Sequence, residues 1–287
     1  MGRLLLKQTS RLALGLLGAA LLAAALATLA VPQAHTGLVP YAVAFGGELV
    51  KMGQLDFGLS DATGWSAFGT LTAALPYTAI LLLLAAIVAV LVGVPLGLVF
   101  GSGPVRRATA PLMQIVAAAP VFCVSLALIW IAIRNGGFYP APFTGFGGDA
   151  VRTLLLPVFI VGMAGAGAVQ LALHRAASQA QGQPWRVTLR MMGLSAGEIE
   201  RVYVAPQVFA GLFTDLGDVV LALLSAAAVV EWTFGWQGAA ELFVKSIALG
   251  DWNVVALILF VFAAIKFAAE FAGALAAAAL TRVGGEA

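Results

Sequence analysis

Long apolar runs alternate with short polar breaks along the whole chain, and the lengths of the runs decide the class of protein. A bilayer span needs about 20 apolar residues. Six stretches meet that length: Leu12–Val31; about Tyr77–Phe100, inside a charge-free stretch from Ala62 to Val105; the gap between Arg107 and Arg134; the gap between Arg152 and His174; about Gln207–Val230; and about Asn253–Leu280. The pattern predicts an all-α polytopic membrane protein with six transmembrane helices. Residues 1–75 supply a first helix and a long outer loop, residues 76–280 a core of five helices, and residues 281–287 a tail. Arg3, Lys7 and Arg11 precede the first run as in a secretory leader. Its apolar core of about 19 residues exceeds the roughly 7–15 of a leader, so a retained helix is expected.

One polar island breaks the pattern. Residues 174–206, HRAASQAQGQPWRVTLRMMGLSAGEIERVYVAP, hold four Arg and two Glu between two apolar runs. A loop of that size on an otherwise embedded protein is expected to grip a soluble partner. Lys and Arg outside the runs set the orientation. With the first residue inside, the inner segments hold Arg3, Lys7, Arg11, Arg106, Arg107, Arg175, Arg186, Arg190, Arg201 and Arg282, and the outer ones only Lys51, Arg134, Arg152 and Lys245. Both termini and the island are therefore expected in the cytoplasm. Trp130, Trp232, Trp236 and Trp252 then fall near the outer interface, which favours amphipathic rings. Residues 231–252, semi-apolar and aromatic, are expected to form a short helix at the outer face or dipping back in.

Composition narrows the chemistry. Hydrophobic residues make up 62% of the chain and charged ones 10%, against about 25% charged in a soluble domain. A net charge of +2 implies no nucleic-acid partner. The single Cys123 offers no disulfide framework, and His35 and His174 are too far apart in sequence to suggest a metal site. Gly93, Gly97 and Gly101 recur every fourth residue in the second run, and Gly162, Gly165 and Gly167 crowd the fourth, which suggests close helix packing.

Four charges lie inside the runs. Asp215 and Asp218 share a helix face in the fifth, and Lys266 and Glu270 share one in the sixth. Such groups are costly in lipid, so they should pair, meet a partner subunit or line a water-filled path. An acidic lining would favour a cationic or amine-bearing solute. At a rise of about 1.5 Å per residue, Asp215 and Lys266 lie about 12 Å and about 10 Å from the inner boundary. The expectation is an Asp215–Lys266 pair bracing the two helices, with Asp218 facing the path. Pairing of Lys266 with Glu270 one turn away is the alternative.

Enzyme motifs argue the other way. No phosphate-binding G-x-x-x-x-G-K-[ST] loop is present, so the chain is not expected to hydrolyse ATP. Gly193-Leu194-Ser195-Ala196-Gly197 fits a nucleophile elbow, but no His follows position 174, and that elbow needs one later in the chain. An intramembrane serine protease would need Ser and His within spans, and neither His lies mid-span.

Several blocks together resemble the permease subunits of bacterial ABC importers for dipeptides, oligopeptides and nickel. Leu55-Asp56-Phe57-Gly58-Leu59-Ser60 is similar to that family's "GDFGxS", Gly93-Val94-Pro95-Leu96-Gly97 to "GIPLG", and Ala119-Pro120-Val121-Phe122 to "LPSFW". Tyr139-Pro140-Ala141 stands at "LPASG", Leu156-Pro157 at "LPAL", and Gly193-Leu194-Ser195 at the "GLS" of the ATPase-contact motif. Val230-Glu231, Phe234, Trp236, Gly238 and the run to Asp251-Trp252 track "VETVFSWPGLGRLLVDAILARDYPVV". Departures include Met192 for the family's Lys, Tyr203 for its His, and Gly211 for a Pro.

The resemblance implies a type I ABC importer permease fold in the bacterial inner membrane, passing a small solute inward by alternating access. The implied partners are a second, homologous permease subunit, two ATPase subunits that bind the ATP, and a periplasmic binding protein that selects peptides or another solute. No cofactor is expected on this chain itself. The loop would meet the ATPase through Trp185, Val187, Leu189, Met191 and Met192 as apolar anchors, with Leu194 also in the contact segment. Arg186, Arg190, Glu198, Glu200 and Arg201 would pair at the rim, and Gly193, Ser195 and Gly197 would shape the turns. Glu231, Phe234, Trp236, Gly238 and Asp251 would form an outer gate segment. The alternative is a stand-alone secondary transporter or channel.

Overall fold

The computed structural model describes residues 2–31, 37–99, 121–134 and 150–283. Its helices are α1 (Gly2–Ala27), α2 (Leu38–Gly53), α3 (Ala67–Val99), α4 (Val121–Arg134), α5 (Ala150–Gln181), α6 (Trp185–Met191), α7 (Ala205–Thr214), α8 (Leu216–Phe234), α9 (Ala239–Leu249) and α10 (Trp252–Val283). Among the described residues five helices carry stretches long and apolar enough to cross a bilayer: Leu6–Ala27, Ala67–Leu98, Thr153–Gln181, Leu216–Phe234 and Trp252–Thr281. The third run of the sequence is described only over Val121–Arg134. Gly101, Arg106, Arg107, Ala119-Pro120 and Tyr139-Pro140-Ala141 lie outside the described residues.

Two packed clusters hold the bundle together. The first joins α3, α5 and α8 through Leu81, Ala85, Val161, Leu173, Leu223 and Ala227. The second joins α1, the 54–66 turn and α10 through Ala23, Ala24, Phe57, Leu71, Val254 and Leu257. Glycine permits close approach between α3 and α5: a Cβ at Gly93 would lie 2.7 Å from the Ala166 carbonyl oxygen, and one at Gly162 2.6 Å from Val88. In lipid, where water no longer drives helices together, such backbone proximity supplies the packing. Outward faces remain apolar, with Leu14 67%, Leu83 68% and Leu91 68% exposed. That suits hydrocarbon or a second subunit, not water.

Two ends of the bundle matter. One, the loop end, carries the segment between α5 and α7. The other, the far end, carries the 54–66 turn, α9 and the start of α10. Gly235 and Gly250, at φ 62° and 72°, close α8 and α9 in the left-handed conformation that glycine adopts without strain. The fifth apolar run does not form one uninterrupted helix. Asp215 (φ −91°, ψ 10°) separates α7 from α8.

Candidate functional site

The polar island folds into a short helix held on a rigid mount. α5 runs on to Gln181, and Pro184 starts α6, where proline's fixed φ costs nothing. Gly193 ends it at φ +87°, the conformation that glycine supplies cheaply. Ser195 then opens a single turn, Ala196–Glu198, with a reciprocal cap. The Glu198 N–H donates to Ser195 Oγ (3.2 Å), and the Ser195 N–H donates to Glu198 Oε2 (2.9 Å). Hydrogen bonding from the Ser195 side chain, and next from its backbone, holds the Glu198 carboxyl below the usual carboxylate range. The Ser195 hydroxyl is thus engaged in capping a helix. A π-helical turn, Ile199–Val204, leads directly into α7.

The mount divides the island's side chains differently from the sequence reading. Trp185 and Leu189, with Leu194, are half-buried and pack against the first cluster. Val187, Met191 and Met192 are exposed at 62%, 84% and 71% and form the outward apolar face. The difference is one of helical phase: on a seven-residue helix the mount takes one side and leaves the other. Arg186 is not a rim contact. Its Nη2 lies 2.5 Å from Glu200 Oε1, and Trp185 meets Tyr203 at 6.4 Å between ring centroids. Arg190 and Arg201 remain exposed beside the apolar face.

The four intramembrane charges form a layer, not the expected brace. Lys266 Nζ pairs with Glu270 Oε2 at 2.5 Å, and Asp215 Oδ2 lies 3.7 Å from Arg175 Nη1. No Asp215–Lys266 pair forms among the described residues. Asp215 precedes α8, whose 19 residues span about 28 Å, and turns to Arg175 on α5, while Lys266 takes the partner one turn away on its own helix. The same level holds Glu270, whose Cβ faces Gly217, and Arg11, which with Gln8 and Glu270 lines a small groove. Asp218 is exposed on α8.

At the far end the carboxylates are buried. Glu231 is 0% exposed. Thr78 Oγ1 donates to its Oε1 (2.7 Å), and the N–H groups of Ala240 and Glu241 donate to its Oε2 (both 2.9 Å). The Ala239 N–H donates to Thr78 Oγ1 (2.7 Å), so one carboxylate and one hydroxyl satisfy the first turn of α9, where negative charge is favoured. A Cβ on Gly238 would collide with the Glu231 carboxylate, which explains that glycine. Trp236 is buried, with Nε1 donating to the Tyr77 carbonyl (3.1 Å), and is not an interfacial anchor. Phe234 is buried in the first cluster.

Asp251 repeats the theme. Ser60 Oγ donates to its Oδ2 (2.5 Å), and the Val254 N–H donates to its Oδ1 (3.4 Å), which ties the 54–66 turn to the start of α10. Asn253 Nδ2 donates to the Leu59 carbonyl (3.0 Å), and Phe57 packs on Phe260. Thr78, Arg175, Ser60 and Tyr203 are contacts that the residue-by-residue reading did not assign. Thr78 had a weak signal: a small hydroxyl inside a charge-free apolar run.

Residues 89–282 match the family described as "Binding-protein-dependent transport system inner membrane component". The chain is 25% identical over 219 residues to the oligopeptide transport system permease protein AppB of Bacillus subtilis, covering 72% of this chain and 69% of that one. It is 23% identical over 151 residues to the oligopeptide transport system permease protein AmiC of Streptococcus pneumoniae, covering 52% of this chain and 30% of that longer protein. The chain belongs to the family of binding-protein-dependent transport system inner membrane components, and is a multi-pass inner-membrane permease component of the ABC importer type.

Proposed function

We propose, from that membership, that the chain is one translocation subunit of an ATP-driven importer for peptide-like solutes. The loop end faces the cytoplasm and the far end faces a periplasmic binding protein. A homologous permease subunit completes the path, and two ATPase subunits dock at the loops. The solute class rests on the two relatives, both oligopeptide transport system permease proteins. The observation that carries the docking is local: an exposed apolar face of Val187, Met191 and Met192, flanked by Arg190 and Arg201, on a helix fixed beyond the spans. An exposed apolar cluster on a rigid base suits a protein partner.

ATP would be held by the ATPase subunits, and this chain would do no covalent chemistry. Closure of the ATPase dimer would move α6, and with it α7 and α8, as packed rigid bodies. Gly193→Arg tests the docking. It forces a bulky residue into the φ +87° conformation and puts a cation beside the apolar face. Loss of ATPase copurification, with membrane insertion retained, is expected; unchanged copurification overturns the proposal. Orientation is tested by cysteine labelling in intact cells on a Cys123→Ala background. Reagents applied outside should reach Ala248→Cys but not Gln179→Cys, and the reverse would invert the topology.

A further inference from the structure

We infer that Arg186 and Glu200 form a strut that transmits force, locking the docking helix α6 to the π-helical turn Ile199–Val204 so that the two move as one lever on α7 and α8. The inference rests on the reading of α6 as the ATPase-docking helix and goes beyond it, because it names how the displacement of that helix leaves the loop.

Three observations converge on the pair. First, it closes a long detour. Arg186 and Glu200 are 14 residues apart, and the chain between them passes through the left-handed Gly193 and the Ser195–Glu198 cap. Apart from the packing of Trp185 and Leu189 on the first cluster, α6 is joined to its neighbours by two turns, residues 182–184 and 192–195, and by this pair. The 2.5 Å ion pair bypasses the second turn, and the Trp185–Tyr203 ring contact does so beside it. Second, the Arg186 end is sheltered. Its side chain is 13% exposed, against 48% for Glu200. Its Nη1 is buried and finds no hydrogen-bond acceptor among the described residues. A buried donor left unsatisfied costs free energy, so a guanidinium held in this pose points to a purpose other than stability. Third, the far end of the strut lands on a special backbone. π-helical turns are rare and concentrate at functional sites. This one is anchored by buried Ile199 and Val204 on the first cluster and continues into α7 without a break.

On the α5 side, α6 follows the turn through Gly182 and Pro184 and packs on the first cluster through Trp185 and Leu189. On the α7 side it is tied by an ion pair, a ring contact and a continuous helical backbone. Displacement of α6 should pass to α7, then across the Asp215 junction to α8. Arg186 and Glu200 are positioning residues: they act through α6 and need not touch the ATPase.

The test uses the complete transporter in proteoliposomes, with both permease subunits, ATPases and binding protein, and reads solute transported per ATP hydrolysed beside ATPase copurification. The variants are Arg186→Met, Glu200→Gln and the swap Arg186→Glu/Glu200→Arg. Glu200→Gln keeps shape at a half-exposed position, so it should fold even if Arg186→Met does not. In the single variants the ATPase should remain bound while transport per ATP falls several-fold, about the size expected from loss of one partly exposed ion pair. The swap should recover a large part of it. Wild-type coupling in Glu200→Gln, a swap no better than the singles, or loss of ATPase binding in Glu200→Gln would each overturn the strut. The last outcome would make these residues docking contacts, and the docking itself is judged separately by Gly193→Arg.

Discussion

Glu231 and Asp251 at the far end of this bundle are held differently from the ion-paired carboxylates of the loop end, although Glu241 and Glu48 at the far end also pair with Lys245 and Lys51. At the far end, Glu231 and Asp251 are 0% and 1% exposed, and backbone N–H groups and hydroxyls of Thr78 and Ser60 satisfy them. No cation takes part in those contacts among the described residues. At the loop end, carboxylates face cations across partly exposed pairs: Glu200 with Arg186, Asp215 with Arg175, Glu270 with Lys266. Backbone-satisfied buried carboxylates fix a geometry, because any displacement leaves several groups unpaired. Partly exposed pairs such as Asp215–Arg175 and Glu270–Lys266 can be exchanged at small cost, since water stands in for a lost partner, whereas Arg186 is sheltered and travels with Glu200 as one body. The difference teaches where the molecule is built to stay still and where it is built to move.

The contrast breaks most readily at Glu231. Glu231→Ala strips acceptors from the Ala240 and Glu241 N–H groups and from Thr78, and should cost about 2–4 kcal/mol, read as a lower midpoint of thermal unfolding in detergent. A wild-type midpoint would mean the far end is not the fixed one. Gly162→Val should come next. It forces a branched side chain onto Val88 and costs about 1–3 kcal/mol by overpacking, visible in the same melt. Ser195→Ala removes a cap at the loop end, worth about 1 kcal/mol to its local turn. It should weaken ATPase copurification several-fold while the global melt stays put, and a large shift of the melt would contradict the division between ends. Smallest is the coupling of Asp215→Asn with Lys266→Met. Without a shared pair, their effects should add within about 0.5 kcal/mol, and a larger interaction energy would restore the brace.

What the sequence disclosed follows a physical line. Apolar run length is a strong signal, because every backbone group in lipid must be satisfied within a helix. The described spans near Leu6–Ala27, Ala67–Leu98, Thr153–Gln181 and Trp252–Thr281 were legible for that reason. Gly193 was legible as a turn and proves to sit at positive φ. Side-chain partners were not legible. Spacing allowed Lys266 either Glu270 or Asp215, and the same-helix partner forms, since it needs no second helix to be positioned. The packing of Trp185 was not legible either, because composition records amphipathicity but not phase relative to the mount. Glu231 was marked by resemblance alone; its chemistry depends on Thr78, 153 residues away, which no local pattern reveals.

The central claim is that the loop end carries the moving contact, through the outward face of α6. A photo-crosslinking amino acid placed at Met191 in the assembled transporter, with an exposed control at Leu249 on α9, tests it most directly. The account predicts covalent capture of the ATPase subunit from Met191 and none from Leu249. Capture from Leu249, or an intact complex that yields no ATPase adduct from Met191, would contradict it.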